Sequence, residues 1–226
     1  MHALRYAVRT QSVLKYFGQL CIVLVMLTLV PLAVSILLGE YNVSLRYSIV
    51  ITGVFVLGYF LQRLPTPKHI QTNEAMVITT LIFLFTAMVM AWPIMGSGLN
   101  FTDALFETIS AVTTTGLSVT STVADKPAIF LFSRAWMQWV GGLGIVILTV
   151  ATMIQPGLAA KHIGYIEDYE EDMIGSTKTH ARRVLIVYVI LTGFAIVVLG
   201  LLGAGWFNAV LYSFAAVSTG GFSPHD

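Results

Sequence analysis

FETISAVTTTGLS, residues 106–118, lies in register over LYSFAAVSTGGFS, residues 211–223, when the chain is shifted by 105 positions. Ala111, Val112, Thr114, Gly116 and Ser118 meet Ala216, Val217, Thr219, Gly221 and Ser223, while Thr113 faces Ser218 and Leu117 faces Phe222. Five identities in thirteen positions are a weak signal alone. The context strengthens it. Each copy follows a long apolar run, a turn containing glycine and a short apolar stretch, Phe101–Val112 or Trp206–Val217. The repeated unit reads as span, short helix, polar glycine loop, span. Such repeats in a membrane usually surround a shared axis, with the functional site at their interface.

The composition places this unit in a bilayer. The chain is 57% hydrophobic and 10% charged, with a mean hydropathy of +0.84. A soluble chain is nearer a quarter charged. The net charge of +1 is carried by sparse residues between apolar runs, which gives no footprint for nucleic acid. Cys21, the single cysteine, lies inside an apolar run and reads as a packing residue. The first apolar run is too long for a signal-peptide core, and no small-residue cleavage site clearly follows it.

A membrane span needs roughly 20 apolar residues. Five runs qualify: Tyr16–Leu38, Leu45–Leu61, Met76–Met95, Ala128–Ile154 and Val184–Ala204. The fourth is the longest, which suits tilting or kinking. The two short stretches would be helices of about 18 Å, too short to cross, and are expected to be re-entrant. The expected fold is therefore an all-α polytopic membrane protein. Two N-terminal spans (1–64) precede a first pore repeat (70–158), a cytoplasmic connecting segment (159–180) and an incomplete second repeat (181–226). Pro65 and Pro67 break the chain between the second and third spans. Basic residues set the orientation. Arg5, Arg9, Lys15, Arg63, Lys68, Lys161, Lys178, Arg182 and Arg183 fall on one side of a five-span chain. Only Arg46, Lys126 and Arg134 fall on or near the other. The N-terminus is accordingly expected in the cytoplasm, and both short helices enter from outside. The acidic run IEDYEED, 166–172, reads as a solvated loop or helix face, with a docking surface for a cytoplasmic partner as the alternative.

Non-helical backbone at membrane depth survives only where protein buries it or where it lines a water-filled path. A Thr-Thr-Thr-Gly loop can aim successive carbonyls at an axis, add hydroxyl oxygens, and turn sharply at glycine. Stacked oxygen rings of this kind replace a cation's hydration shell, and the C-terminal end of the preceding helix favours positive charge. Asn100 can cap the first short helix, with Asp103 in its first turn. Hydroxyls and small residues also serve helix packing. A single loop would leave that alternative open; two loops in register, each behind a re-entrant helix, point to a cation filter.

These residues resemble the Trk/Ktr/HKT superfamily of potassium transporters, and within it the TrkH type. The likeness rests on DALFETISAVTTTG (103–116), RAWMQWVGGLGIVIL (134–148) and SFAAVSTGGFSPHD (213–226), and covers residues 70–226 well. Residues 1–64 fit only a loosely defined N-terminal helix pair. Arg134, Gln138, Trp139, Gly141, Gly142 and Gly144 stand where the family pattern has them. The resemblance implies K⁺ filter residues at Thr113, Thr114, Thr115 and Gly116, and at Ser218, Thr219, Gly220 and Gly221. In related plant proteins serine in place of the first-repeat glycine goes with sodium, so Gly116 implies potassium. The implied function is potassium uptake across the cytoplasmic (inner) membrane as part of a pore-forming subunit. A less selective Na⁺/K⁺ pathway and a non-conducting membrane scaffold are the alternatives. The implied associations are membrane lipid, a cytoplasmic nucleotide-binding regulatory subunit and a homodimer of the full-length protein, with no organic cofactor. The family builds its pore from four repeats, so this chain is expected to be an N-terminal portion of a longer protein.

Filter support is expected from Glu107, Arg134 and Gln138. Arg134 near the end of a span either braces the back of the filter, or Glu107, or snorkels to the headgroups. Glu107 either bonds behind the filter or faces the outer vestibule; direct ion binding is the remaining option. Gly141, Gly142 and Gly144 each cost a helix roughly 1 kcal/mol against alanine, which close packing on the filter loop would offset; a kink is the alternative. Trp136 and Trp139 are interface anchors or packing residues. No enzyme motif is present: H-E-x-x-H and G-x-S-x-G are absent, and the histidines at 2, 69, 162, 180 and 225 lack ligand spacing. Acids are almost absent from the spans, which argues against a proton-relay pump.

Overall fold

A computed structural model describes residues 8–65, 70–123, 125–153 and 167–225. Among these residues every regular element is a helix: α1 (Thr10–Leu37), α2 (Tyr41–Leu61), α3 (Thr72–Met95), α4 (Phe101–Val112), α5 (Ala128–Met153), α6 (Glu167–Leu201) and α7 (Trp206–Val217). Five of them, α1, α2, α3, α5 and α6, are long and apolar enough to cross a membrane. The chain is a multi-pass helical membrane protein, and α4 and α7 have the bounds expected of the short helices.

Several spans begin earlier than their apolar runs. α6 starts 17 residues before Val184, so residues 167–172 of the acidic run are helical backbone. That makes α6, at 35 residues, longer than α5 at 26. Residues 154–166, which hold Lys161 and the start of the connecting segment, lie outside the described residues, as do 1–7 and 66–69.

The N-terminal pair packs through small residues. A side chain on Gly18 would stand 2.6 Å from Leu61 Cβ, and one on Gly58 would stand 2.9 Å from the Gly18 carbonyl. This close approach is how membrane helices gain van der Waals contact without a hydrophobic driving force. Cys21, fully buried beside Gly58, is part of that seam. Two further ties bind the pair to the remaining helices. Pro31 has no N–H and so leaves the Leu27 carbonyl without its helical donor; the Trp136 indole donates to it at 3.1 Å. At the other end, Glu74 is fully buried. Its carboxylate accepts from Arg9 Nε at 2.7 Å, Arg9 Nη2 at 2.9 Å, and the backbone N–H groups of Arg9 and Gln71 at 3.1 and 3.0 Å. This fork fixes the start of α1 to the start of α3.

Candidate functional site

The two polar loops repeat each other in backbone conformation. α4 ends at Val112 and α7 at Val217, both after 12 residues. Thr113 N–H and Ser218 N–H close the last α-turns onto Ile109 and Phe214. Thr114 and Thr219 then take left-handed φ values of 56° and 53°. Their N–H groups return to Ala111 and Ala216, and those of Thr115 and Gly220 to Ser110 and Ala215. This is a Schellman termination with threonine where glycine is usual. The left-handed threonine costs about 1–2 kcal/mol at each loop. Two residues on, Gly116 and Gly221 have φ of 77° and 82°.

The hydroxyls follow the same pattern. Thr113 and Ser218 each donate to the carbonyl four residues back, at 2.7 Å. Thr113 also lies 2.8 Å from the Thr115 hydroxyl. A hydroxyl that donates to its own helix keeps its lone pairs available as acceptors. Exposure separates the two loops. Thr113, Thr115, Thr219 and Gly221 are exposed, whereas Ser218 and Gly220 are buried.

The loops meet. A side chain on Gly116 would lie 2.0 Å from the Gly220 carbonyl oxygen, so glycine is needed here for space as well as for φ. α5 supplies the wall behind both. A side chain on Gly141 would strike the Val112 carbonyl at 2.0 Å, and one on Gly142 would meet Ser218 Cβ at 2.9 Å. Gly142 thus packs on the second loop as expected, while Gly141 packs on the last residue of α4, immediately before the first loop. Gly144 packs on neither: the nearest atom to its would-be side chain is on Phe83, at 3.6 Å.

Three buried polar side chains hold this arrangement. Gln138 Nε2 donates to the Gly220 carbonyl at 2.7 Å, and Phe222 N–H donates to Gln138 Oε1 at 3.3 Å. The Gly220 carbonyl is thus engaged from behind. Glu107 Oε1 accepts from Ser118 Oγ at 2.6 Å, Val119 N–H at 2.9 Å and Thr120 Oγ1 at 3.3 Å. Its Oε2 stands 3.2 Å from Arg134 Nε, a charge contact without hydrogen-bond alignment. The guanidinium also lies 3.8 Å from the Phe222 ring centre and 4.9 Å from that of Phe130. Arg134, 2% exposed, therefore braces and does not snorkel. It links the exit of the first loop, through Glu107, to the exit of the second, through Phe222. Glu107, at 0% exposure, faces no vestibule. Trp136 and Trp139 pack internally on Phe214, and Trp139 Nε1 donates to Thr192 at 2.9 Å. At the entrance to α4, Asn100 Oδ1 accepts from Asp103 N–H at 2.9 Å, the expected cap.

Sequence reasoning missed Phe222, Glu74 and the Trp136 bond to Leu27. Glu74 carried one legible signal, an acid in the first turn of a span. Phe222 carried none beyond its place after the second loop's glycine.

A family model described as TrkH, cation transport protein, matches residues 41–226. The chain is 30% identical over 231 residues to the Trk system potassium uptake protein TrkH of Halomonas elongata, covering 96% of this chain and 46% of that protein. It is 29% identical over 217 residues to an uncharacterized cation transporter of Methanocaldococcus jannaschii, covering 94% of this chain and 45% of that one. The crystal structure of the potassium transporter TrkH from Vibrio parahaemolyticus superposes with a TM-score of 0.79 at 27% identity, over 96% of this chain and 45% of that chain. The chain spans about half the length of these relatives.

Proposed function

This chain belongs to the TrkH family of cation transport proteins, and on that footing we propose that it forms part of a potassium-conducting pore. In this reading the loops Thr113–Gly116 and Ser218–Gly221 line part of the ion path. The observation that carries it is the matched, strained geometry of two touching polar loops at the C-terminal ends of two short helices among membrane spans. Strain of this kind persists only where its surroundings over-determine it, and it clusters at functional sites. The exposed Thr113 and Thr115 hydroxyls and the backbone oxygens of both loops, other than the Gly220 carbonyl that Gln138 holds, would take over a cation's hydration shell. The helix C-termini would favour its charge. Glu107, Arg134 and Gln138 would hold the loops without touching the ion.

The functional units would be residues 1–64, 70–158, 159–180 and 181–226, as read from the sequence. The protein would sit in the cytoplasmic membrane with its N-terminus inside. It would act as a homodimer gated by a cytoplasmic nucleotide-binding subunit. Two loops would furnish half of each ring in a four-repeat pore. The test is K⁺ uptake by K⁺-transport-deficient cells expressing the protein from its own gene. Gly116→Ser should cut K⁺ uptake and raise Na⁺ entry relative to K⁺. Unchanged uptake and preference, with the variant present in the membrane, would leave the loops as packing elements of a scaffold.

A further inference from the structure

Away from the loops, α2 and α3 part to leave a groove of about 270 Å³, lined by Val50, Gly53, Val54, Phe85, Val89 and Trp92. The lining positions fall three and four residues after Val50 on α2, and three, four and seven after Phe85 on α3, where Met88 is the first of them, so the groove is a continuous stripe between two membrane spans. It is almost wholly apolar. Nothing lies within 4 Å of where a Gly53 side chain would begin, so the space there is open. Arg46, one turn before Val50 on the same face of α2, closes one end. Its Nη1 donates to the Trp92 carbonyl at 3.0 Å, and its guanidinium lies 5.8 Å from the Trp92 ring centre. Arg46 is half-buried and pairs with no carboxylate among the described residues. A tryptophan and an arginine at the head of an apolar groove are the elements of a headgroup site. The arginine fork suits phosphate, and the groove below suits hydrocarbon.

We propose that this groove is a binding site for one anionic glycerophospholipid of the leaflet that holds the α1–α2 turn. The phosphate sits on the free N–H groups of Arg46, and one acyl chain lies along Val50, Gly53 and Phe85. Arg46, which pairs with no carboxylate among the described residues, favours a headgroup of net negative charge over one whose phosphate is already neutralised by choline, and the missing side chain at Gly53 makes the room for the chain. The site depends on the spans alone and not on what the protein transports.

The protein, expressed from its own gene and purified in mild detergent, is equilibrated with equal amounts of phosphatidylglycerol and phosphatidylcholine. Native mass spectrometry then counts the lipid retained. Phosphatidylglycerol should be retained preferentially, and Gly53→Phe, whose Cβ meets nothing within 4 Å and whose ring grows from a groove-lining position, should abolish that retention. Arg46→Gln should lower phosphatidylglycerol retention roughly tenfold, the equivalent of one charge-assisted hydrogen bond, and erase the preference over phosphatidylcholine. Elution as a monodisperse peak establishes that each variant is folded, and Gly53→Ala, which leaves the groove open, should retain lipid as the wild type does. Equal retention by Gly53→Phe, or none by the wild type, overturns the proposal. So does efficient Met88→Cys cross-linking between copies in native membranes, because the groove would then be covered by a second copy.

Discussion

The Glu107–Arg134 pair allows a quantitative test of the idea that the two loops are braced as one unit. Both side chains are buried, at 0% and 2% exposure, and their charges stand 3.2 Å apart. Glu107→Gln keeps an oxygen for the Ser118, Val119 and Thr120 donors, so the hydrogen bonds to the first loop survive. What is lost is the counter-charge of a buried guanidinium, and breaking such a pair costs about 3–5 kcal/mol. The surviving bonds and the two aromatic faces on Arg134 place the expectation at the low end, about 3 kcal/mol. Adding Arg134→Met removes the stranded charge and leaves an apolar side chain against Phe222. The double variant should therefore be more stable than Glu107→Gln alone, with a coupling energy of roughly 2 kcal/mol. Unfolding of the purified protein in mixed detergent–SDS micelles measures all four corners of the cycle. A Glu107→Gln loss within about 0.5 kcal/mol of zero, or additive losses in the double variant, would refute the buried brace.

Other substitutions probe neighbouring parts of the site. Gly116→Ala must accept a φ of 77° and displace the Gly220 carbonyl, which stands 2.0 Å from the new methyl carbon; a stability loss of about 2 kcal/mol or more is expected in the same assay. Gln138→Leu strands the Gly220 carbonyl and the Phe222 N–H, each costing about 1–3 kcal/mol, and should lower K⁺ preference along with stability. Thr219→Gly relieves the left-handed threonine, so stability should hold or rise by up to about 1 kcal/mol while ion preference, read from uptake competition, falls. Glu74→Gln removes the charge that Arg9 grips and should speed proteolysis of the α1 N-terminus, read by limited trypsin digestion.

Much of this architecture could be read from local pattern. The short helices at Phe101–Val112 and Trp206–Val217 are bounded by signals a few residues long: Asn100 as a cap, the glycine turn before each, and the Thr/Ser–Thr–x–Gly exit. The repeat's 105-residue shift holds in the backbone too, because Thr114 and Thr219 share one conformation. The sequence located backbone freedom at Gly116 and Gly221 but gave no sign that a threonine precedes each in the left-handed region. Contacts between distant segments were least legible. Arg9 and Glu74 are 65 positions apart, and Trp136 and Leu27 are 109 apart. Neither pairing leaves a periodic trace; the second depends on a carbonyl that Pro31 frees. Span ends are illegible in hydropathy where polar residues prolong a helix beyond its apolar run, as at the start of α6. Helix propensity and hydropathy are different properties there.

If the paired loops hold K⁺, an ion should be found between them. Crystals of the protein expressed from its own gene, grown with Rb⁺ in place of K⁺, would locate the ion by anomalous scattering. A peak is expected within coordination distance of oxygens from both Thr113–Gly116 and Ser218–Gly221. A Rb⁺ peak elsewhere in the membrane region, with both loops empty and ordered as described, would contradict this.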